Sequence, residues 1–174
     1  MKKVLVLAIA LIGFNAISQA QETDLSVVVG EDVMSIEVTH PTVTIQMNTP
    51  QHFTDGNDTG VLDDHLVVTS NVGYKIEVIA DGVNFTPASG TDQIAVSNVT
   101  VEVTGAGNNV TSTATLPGAV ALSDSAIEIL TTDGGDINRE YPVRYAVPSA
   151  NAGSFLNVEP TTYTTTLTYS VAPL

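Results

Sequence analysis

Along most of this chain, apolar side chains fall on every second position. The clearest instance is Thr162-Tyr163-Thr164-Thr165-Thr166-Leu167-Thr168-Tyr169-Ser170-Val171, in which Tyr163, Leu167, Tyr169 and Val171 share one parity and small hydroxyl residues fill the other. Successive side chains of a strand point to opposite faces, so this alternation predicts a strand with one buried and one wet face. The same period predicts strands over 25–29, 33–38, 42–47, 66–69 and 74–80, then over 94–96, 99–103, 127–130, 141–147 and 163–171. In 74–80, Tyr74, Ile76, Val78 and Ala80 oppose Lys75 and Glu77; in 141–147 the inward set is Tyr141, Val143, Tyr145 and Val147. No stretch sustains a period of 3.6 residues, so helix should be minimal.

The breaks between these runs carry turn chemistry. Gly30-Glu31-Asp32 separates the first two strands, and Pro41 interrupts pairing because proline lacks a ladder donor. Asn71-Val72-Gly73 predicts a hairpin, and 105–109 a turn. The Thr/Ser/Ala/Gly-rich passage 111–121 holds a weak edge strand, and 148–160, with Asn151, Gly153 and two prolines, reads as a loop. Short strands spaced by turns predict an all-β fold, a two-sheet sandwich with Greek-key connections. A closed barrel is the competing architecture.

The first twenty residues have a different character. Met1-Lys2-Lys3 is a short basic region, 4–14 is apolar, and Ser18-Gln19-Ala20 places small residues where a signal peptidase reads. Cleavage is expected after Ala20, leaving 21–174 as one domain. The apolar run is too short to span a bilayer, which takes about twenty residues. The chain is therefore expected to be exported, to the cell surface, the extracellular space or the periplasm, with no membrane span. It has no cysteine, so its stability should rest on packing alone.

Charge narrows the partners. Without Lys2 and Lys3 the formal charge of −14 becomes −16, and Lys75, Arg139 and Arg144 are the remaining basic side chains. Such a surface repels phosphate backbones, which argues against nucleic-acid binding. Acidity favours solubility and cations, and it discourages edge strands from aggregating.

The succession of His65-Leu66-Val67-Val68-Thr69-Ser70-Asn71-Val72-Gly73-Tyr74-Lys75-Ile76-Glu77-Val78, Ile127-Glu128-Ile129, Tyr141-Pro142-Val143-Arg144-Tyr145, Ala152-Gly153 and the closing Tyr163 to Val171 strand resembles small secreted bacterial β-sandwich proteins. These are fimbrial subunits of the spore-coat-U and alternate chaperone-usher type, and WxL-like surface domains. The resemblance covers about 65–171. It implies an immunoglobulin-like, pilin-like sandwich that polymerises or binds a cell wall.

Common catalytic chemistry is poorly represented. A serine triad would need its base from His40, His52 or His65, and no Gly-x-Ser-x-Gly elbow occurs. No His-Glu-x-x-His or cysteine-pair spacing suggests zinc. Paired carboxylates for glycoside hydrolysis are weakly supported, because no tryptophan offers a sugar platform. Calcium is the sharper candidate. Asp55, Asn57, Asp58, Asp63 and Asp64 crowd oxygen ligands into a glycine-containing stretch, although Leu66 stands where an EF-hand places its bidentate Glu. The competing reading is a solvated turn. Asp133-Gly134-Gly135-Asp136-Ile137-Asn138 is a second stretch of this kind. Asn57, Asn84, Asn98 and Asn109 begin Asn-x-Thr sequences, and Asp124-Ser125-Ala126 is similar to O-glycosylation sites of secreted Bacteroidota proteins.

Two functions fit these features. The first is a non-enzymatic structural subunit of a surface filament or coat, self-associating through edge strands, with residues 21–38 exchanged between chains. In that reading the alternative place for 25–38 is the domain's own first hairpin. The second is a monomeric adhesin or glycan-binding module, calcium-stabilised, whose loops contact a host or surface glycan or protein.

Overall fold

The computed structural model describes Val27, residues 31–108 and residues 111–174. The expected signal peptide at 1–20 lies outside the described residues, as do the 25–29 strand apart from Val27 and the Asn109 sequon's first two positions.

The chain is an all-β sandwich. In order, its strands are β1 (Met34–Val38), β2 (Gly56–Asp58), β3 (Leu62–Ser70), β4 (Tyr74–Ala80), β5 (Asn84–Pro87), β6 (Ile94–Ala95), β7 (Thr100–Val103), β8 (Ala114–Thr115), β9 (Val120–Ala121), β10 (Ile127–Thr132), β11 (Asp136–Pro148), β12 (Tyr163–Thr164) and β13 (Leu167–Pro173). Two single-turn helices, α1 (His52–Asp55) and α2 (Ser149–Ala152), flank the strands. One sheet runs β1-β3-β11-β7-β9, with β2 also on β11; the facing sheet runs β13-β4-β10-β8; a small third sheet joins β12, β5 and β6. All pairings are antiparallel.

Alternation places the core as expected. Tyr74, Ile76, Val78 and Ala80 of β4 face Tyr141, Val143, Tyr145 and Val147 of β11, and all eight are buried along with Leu66, Val68, Val101, Ile129 and Leu130. Each such aliphatic side chain withdrawn from water contributes about 1.5–3 kcal/mol, which is how a chain without disulfides holds together. On the wet face of β4, Lys75 bonds Glu77 at 2.8 Å.

The turn at Asn71-Val72-Gly73 corrects the hairpin expectation. β3 and β4 do not pair; β3 lies beside β11 in one sheet and β4 beside β10 in the other. The turn is an arch between sheets, and Asp133 to Gly135 makes a second arch from β10 back to β11. The two arches nest, with the Cβ position of Gly135 only 2.6 Å from the carbonyl oxygen of Ser70. Connections of this interleaved kind belong to Greek-key sandwiches. Three further readings shift. The strand expected over 163–171 is split into β12 and β13, the polar stretch 49–64 contains α1 and β2, and the loop 148–160 contains α2.

Candidate functional site

β1 and β13 are the outer strands of the two sheets along one side of the sandwich. Beyond Val38 the chain keeps its alternation, with Val43, Ile45 and Met47 half-buried and their neighbours exposed. Yet residues 40–48 join no sheet, and among the described residues their backbone forms no backbone–backbone hydrogen bond. The strand expected over 42–47 is thus an extended segment without a ladder partner. Two side chains anchor its lower end: the Asn57 amide donates to the Gln46 carbonyl at 2.6 Å, and the Asn48 N–H reaches His52 Nδ1 at 3.3 Å.

Between this segment and residues 160–169 lies an open groove of about 910 Å³. Its walls are Val43, Ile45 and Met47 on one side and Tyr163, Leu167 and Tyr169 on the other, with Leu122, Val147 and Phe155 among its lining. An extended chain presents backbone donors and acceptors that need partners, so such a groove is suited to another strand.

One end of the groove is polar. Asp64 adopts φ = +55°, a left-handed conformation uncommon outside glycine, and the β3–β11 register shifts between Tyr141 and Val143. A bulge of this kind re-aims a side chain. Here His65 is buried next to the buried Leu66, where strict alternation would have put it outside. His65 Nε2 lies 2.8 Å from the Tyr145 hydroxyl, which in turn hydrogen-bonds the Tyr169 hydroxyl across the two sheets. His65 is 1% exposed, and among the described residues its Nδ1 has no hydrogen-bond partner. His40 stacks on it with ring centroids 5.6 Å apart. Burial, and then the charge of His40, lower the His65 pKa to about 4. Burial raises Tyr145 to about 12 and pushes Tyr169 up as well. His65, Tyr145 and Tyr169 are therefore neutral at ordinary pH.

The five calcium candidates are distributed differently. Asp55 ends α1, Asn57 and Asp58 lie in β2, and Asp63 and Asp64 lie in β3. Asp58 accepts from the Gly60 N–H at 2.7 Å and lies 3.9 Å from Arg144, while Asn57 holds Gln46. Among the described residues no three carboxylates or imidazoles converge where a metal ion could be held. In the second acidic stretch Asp136 is enclosed: Ser112 Oγ donates to it at 2.5 Å, Thr111 Oγ1 at 2.8 Å and Arg139 Nη1 at 2.7 Å. His40 is exposed in the connection after β1, and His52, half-buried, opens α1.

No protein-family model matches the chain, and no curated protein is similar to it. The groove and the His65 end were missed by sequence reasoning. One signal was present: Val43, Ile45 and Met47 alternate directly after a proline that interrupts the ladder.

Proposed function

We propose that this is an exported, non-enzymatic structural protein, a subunit of a cell-surface filament or coat, in which one chain lends residues 25–29 to the groove of the next. The observation that carries the reading is the groove itself, bounded by an apolar extended segment that, among the described residues, forms no backbone–backbone hydrogen bond. A donor of matching character precedes β1: Leu25, Val27 and Val29 alternate, and Val27 is 81% exposed.

Reach favours exchange between chains. Val29 is four residues from Val33, a span of at most about 14 Å. Val43 is ten residues beyond Val33 in the opposite direction, about 33 Å if the chain stays extended. The 25–29 segment therefore falls short of Val43 to Met47 of its own chain, while a neighbour's segment has no such limit. Residues 34–38 of the exchanged segment considered from the sequence pair with β3 of their own chain, so the exchange concerns the part before them. For the membrane, no helix among the described residues is long and apolar enough to cross one.

Negative-stain imaging and size-exclusion chromatography of the processed chain test this. Fibres or ladders that disappear in Val27→Asp support it; a compact monomer at all concentrations points instead to the adhesin reading.

A further inference from the structure

All three histidines of the chain bear on one segment, the groove wall at residues 40–48 that joins no sheet. At its start His40 stacks on the buried His65 ring. At its end the Asn48 N–H donates to His52 Nδ1 at 3.3 Å. Between these points the Asn57 amide holds the Gln46 carbonyl, and Val43, Ile45 and Met47 rest half-buried on the core.

The contacts at both ends depend on a ring without charge. An Nδ1 that accepts an N–H carries no proton, so protonating His52 sets a donor against a donor. At the other end, Thr39 Oγ1 gives its one proton to the Asp64 carbonyl at 2.7 Å, which leaves His40 Nδ1 to donate to that hydroxyl at 2.9 Å. His65 is the enclosed member. As an imidazolium it carries a proton on both nitrogens, and its Nδ1–H, buried beside the stacked His40 ring, has no acceptor among the described residues. Lifting His40 away opens that nitrogen to water.

The surroundings offer the added charge little compensation. His65 is faced by His40 from the segment, Tyr145 from β11 and Tyr169 from β13, while Asp63 and Asp64 of its own strand and Glu37 of β1 are exposed. Around His52, α1 packs on β2, α2 and the turn Gly153–Phe155. The last two contain no ionisable residue, Asp58 of β2 is taken by Gly60 and Arg144, and Asp55 of α1 is exposed.

We infer that residues 40–48 form an acid-released strap: protons taken up at His65 and His52 free the segment from the sandwich and open the groove wall while the sheets stay intact. Linkage sets the size of the effect. With the strap in place His65 titrates at about 4, and in water it returns to the ordinary imidazole value of about 6.5. The released form therefore binds the proton first, so the strap holds fully above about pH 6.5 and weakens as pH falls toward 4. At about pH 5 His65 alone shifts the balance toward release about thirtyfold. The strap stands on contacts within one chain. Resting on the filament reading above, its release also dismantles the site that holds a neighbour's segment, so filaments come apart in mild acid.

The absence of native cysteine allows a single nitroxide spin label at Thr44→Cys, an exposed position of the segment, and a reference label at Thr168→Cys, exposed on β13. The processed full chain carries Val27→Asp in addition, so that no neighbour's segment competes for the groove. Between about pH 7.5 and about pH 5 the mobile share of the Thr44 spectrum is expected to rise several-fold, with the Thr168 spectrum and the β circular dichroism unchanged. His65→Gln with His52→Gln should remove this pH response, and His65→Phe with His52→Gln serves if glutamine is not tolerated in the buried site. A Thr44 label that stays fixed at the lower pH, a response that persists without both histidines, or equal loosening at Thr168 overturns the strap. Chains without Val27→Asp test the consequence for assembly. Strap release with fibres intact, or with no fibres at either pH, leaves the strap standing and counts against the filament reading.

Discussion

The Asp136 carboxylate and the Arg139 guanidinium meet at 2.7 Å with neither side chain exposed. Around them, Ser112 bonds both partners, the Arg139 Nε and Nη2 donate to the Ala106 carbonyl at 2.8 and 2.6 Å, and the Tyr74 hydroxyl bridges Asp136 to Tyr141. The guanidinium also lies 5.0 Å from the Tyr141 ring centre. This network ties the loop at Ala106 and Ser112 to the nested arches. Removing one member of a buried pair leaves an unpaired charge, which costs about 3–5 kcal/mol. Arg139→Met and Asp136→Asn are each expected to lower stability by that order in urea unfolding, and the double variant by less than the sum.

The acid limb of stability has two separate windows. Burial alone would raise the Asp136 pKa, but hydrogen bonds from Ser112, Arg139 and Thr111 hold it well below the usual carboxylate range. Its contribution is present above the unfolded value near 4 and is lost as pH falls further. His65 acts at higher pH. Its folded pKa of about 4 lies below the ordinary imidazole value of about 6.5, so the unfolded chain binds the proton first. That contribution is complete above about pH 6.5 and falls away toward pH 4, by about 3 kcal/mol. Unfolding free energy measured across this interval should flatten in His65→Gln, while the steeper loss below pH 4 persists.

Alternation identified β4 to the residue and the buried face of β11, because both strands lie mid-sheet with one face in the core. It did not reveal which strands pair. Asn71-Val72-Gly73 has turn chemistry that serves a hairpin or an arch equally, and the choice depends on distant partners, β11 for β3 and β10 for β4. Nor did alternation separate residues 42–47 from a paired strand, since burial of Val43, Ile45 and Met47 gives the same period with or without a ladder. His65 escaped because the bulge at Asp64 breaks the period there. Asp136 looked like an exposed turn acid; its one visible clue was Arg139 three residues on, in a chain with few basic residues.

The nested arches make glycine necessary at one position and dispensable at another. A Cβ on Gly135 would sit 2.6 Å from both the Asn71 carbonyl carbon and the Ser70 carbonyl oxygen, whereas one on Gly153 meets nothing within 4 Å. Thermal melts are expected to show Gly135→Ala destabilised by roughly 2 kcal/mol or more and Gly153→Ala unchanged or slightly stabilised.

For calcium, the groups at Asp58 and Asn57 already hold Gly60, Arg144 and Gln46. Millimolar Ca²⁺ is expected to leave the melting temperature within a degree of its value in chelator. A rise of several degrees that Asp55→Asn with Asp58→Asn abolishes would show that the acidic stretch rearranges around the ion.

The central claim is that the groove between residues 40–48 and 160–169 is completed by another copy's 25–29 segment. The most direct measurement is disulfide trapping of Val27→Cys against Ile45→Cys, with the two substitutions carried on separate chains that are then mixed. A covalent dimer formed only in the mixture is the expected result. Mixed chains that stay monomeric under oxidation, while retaining the β circular-dichroism spectrum, would contradict it.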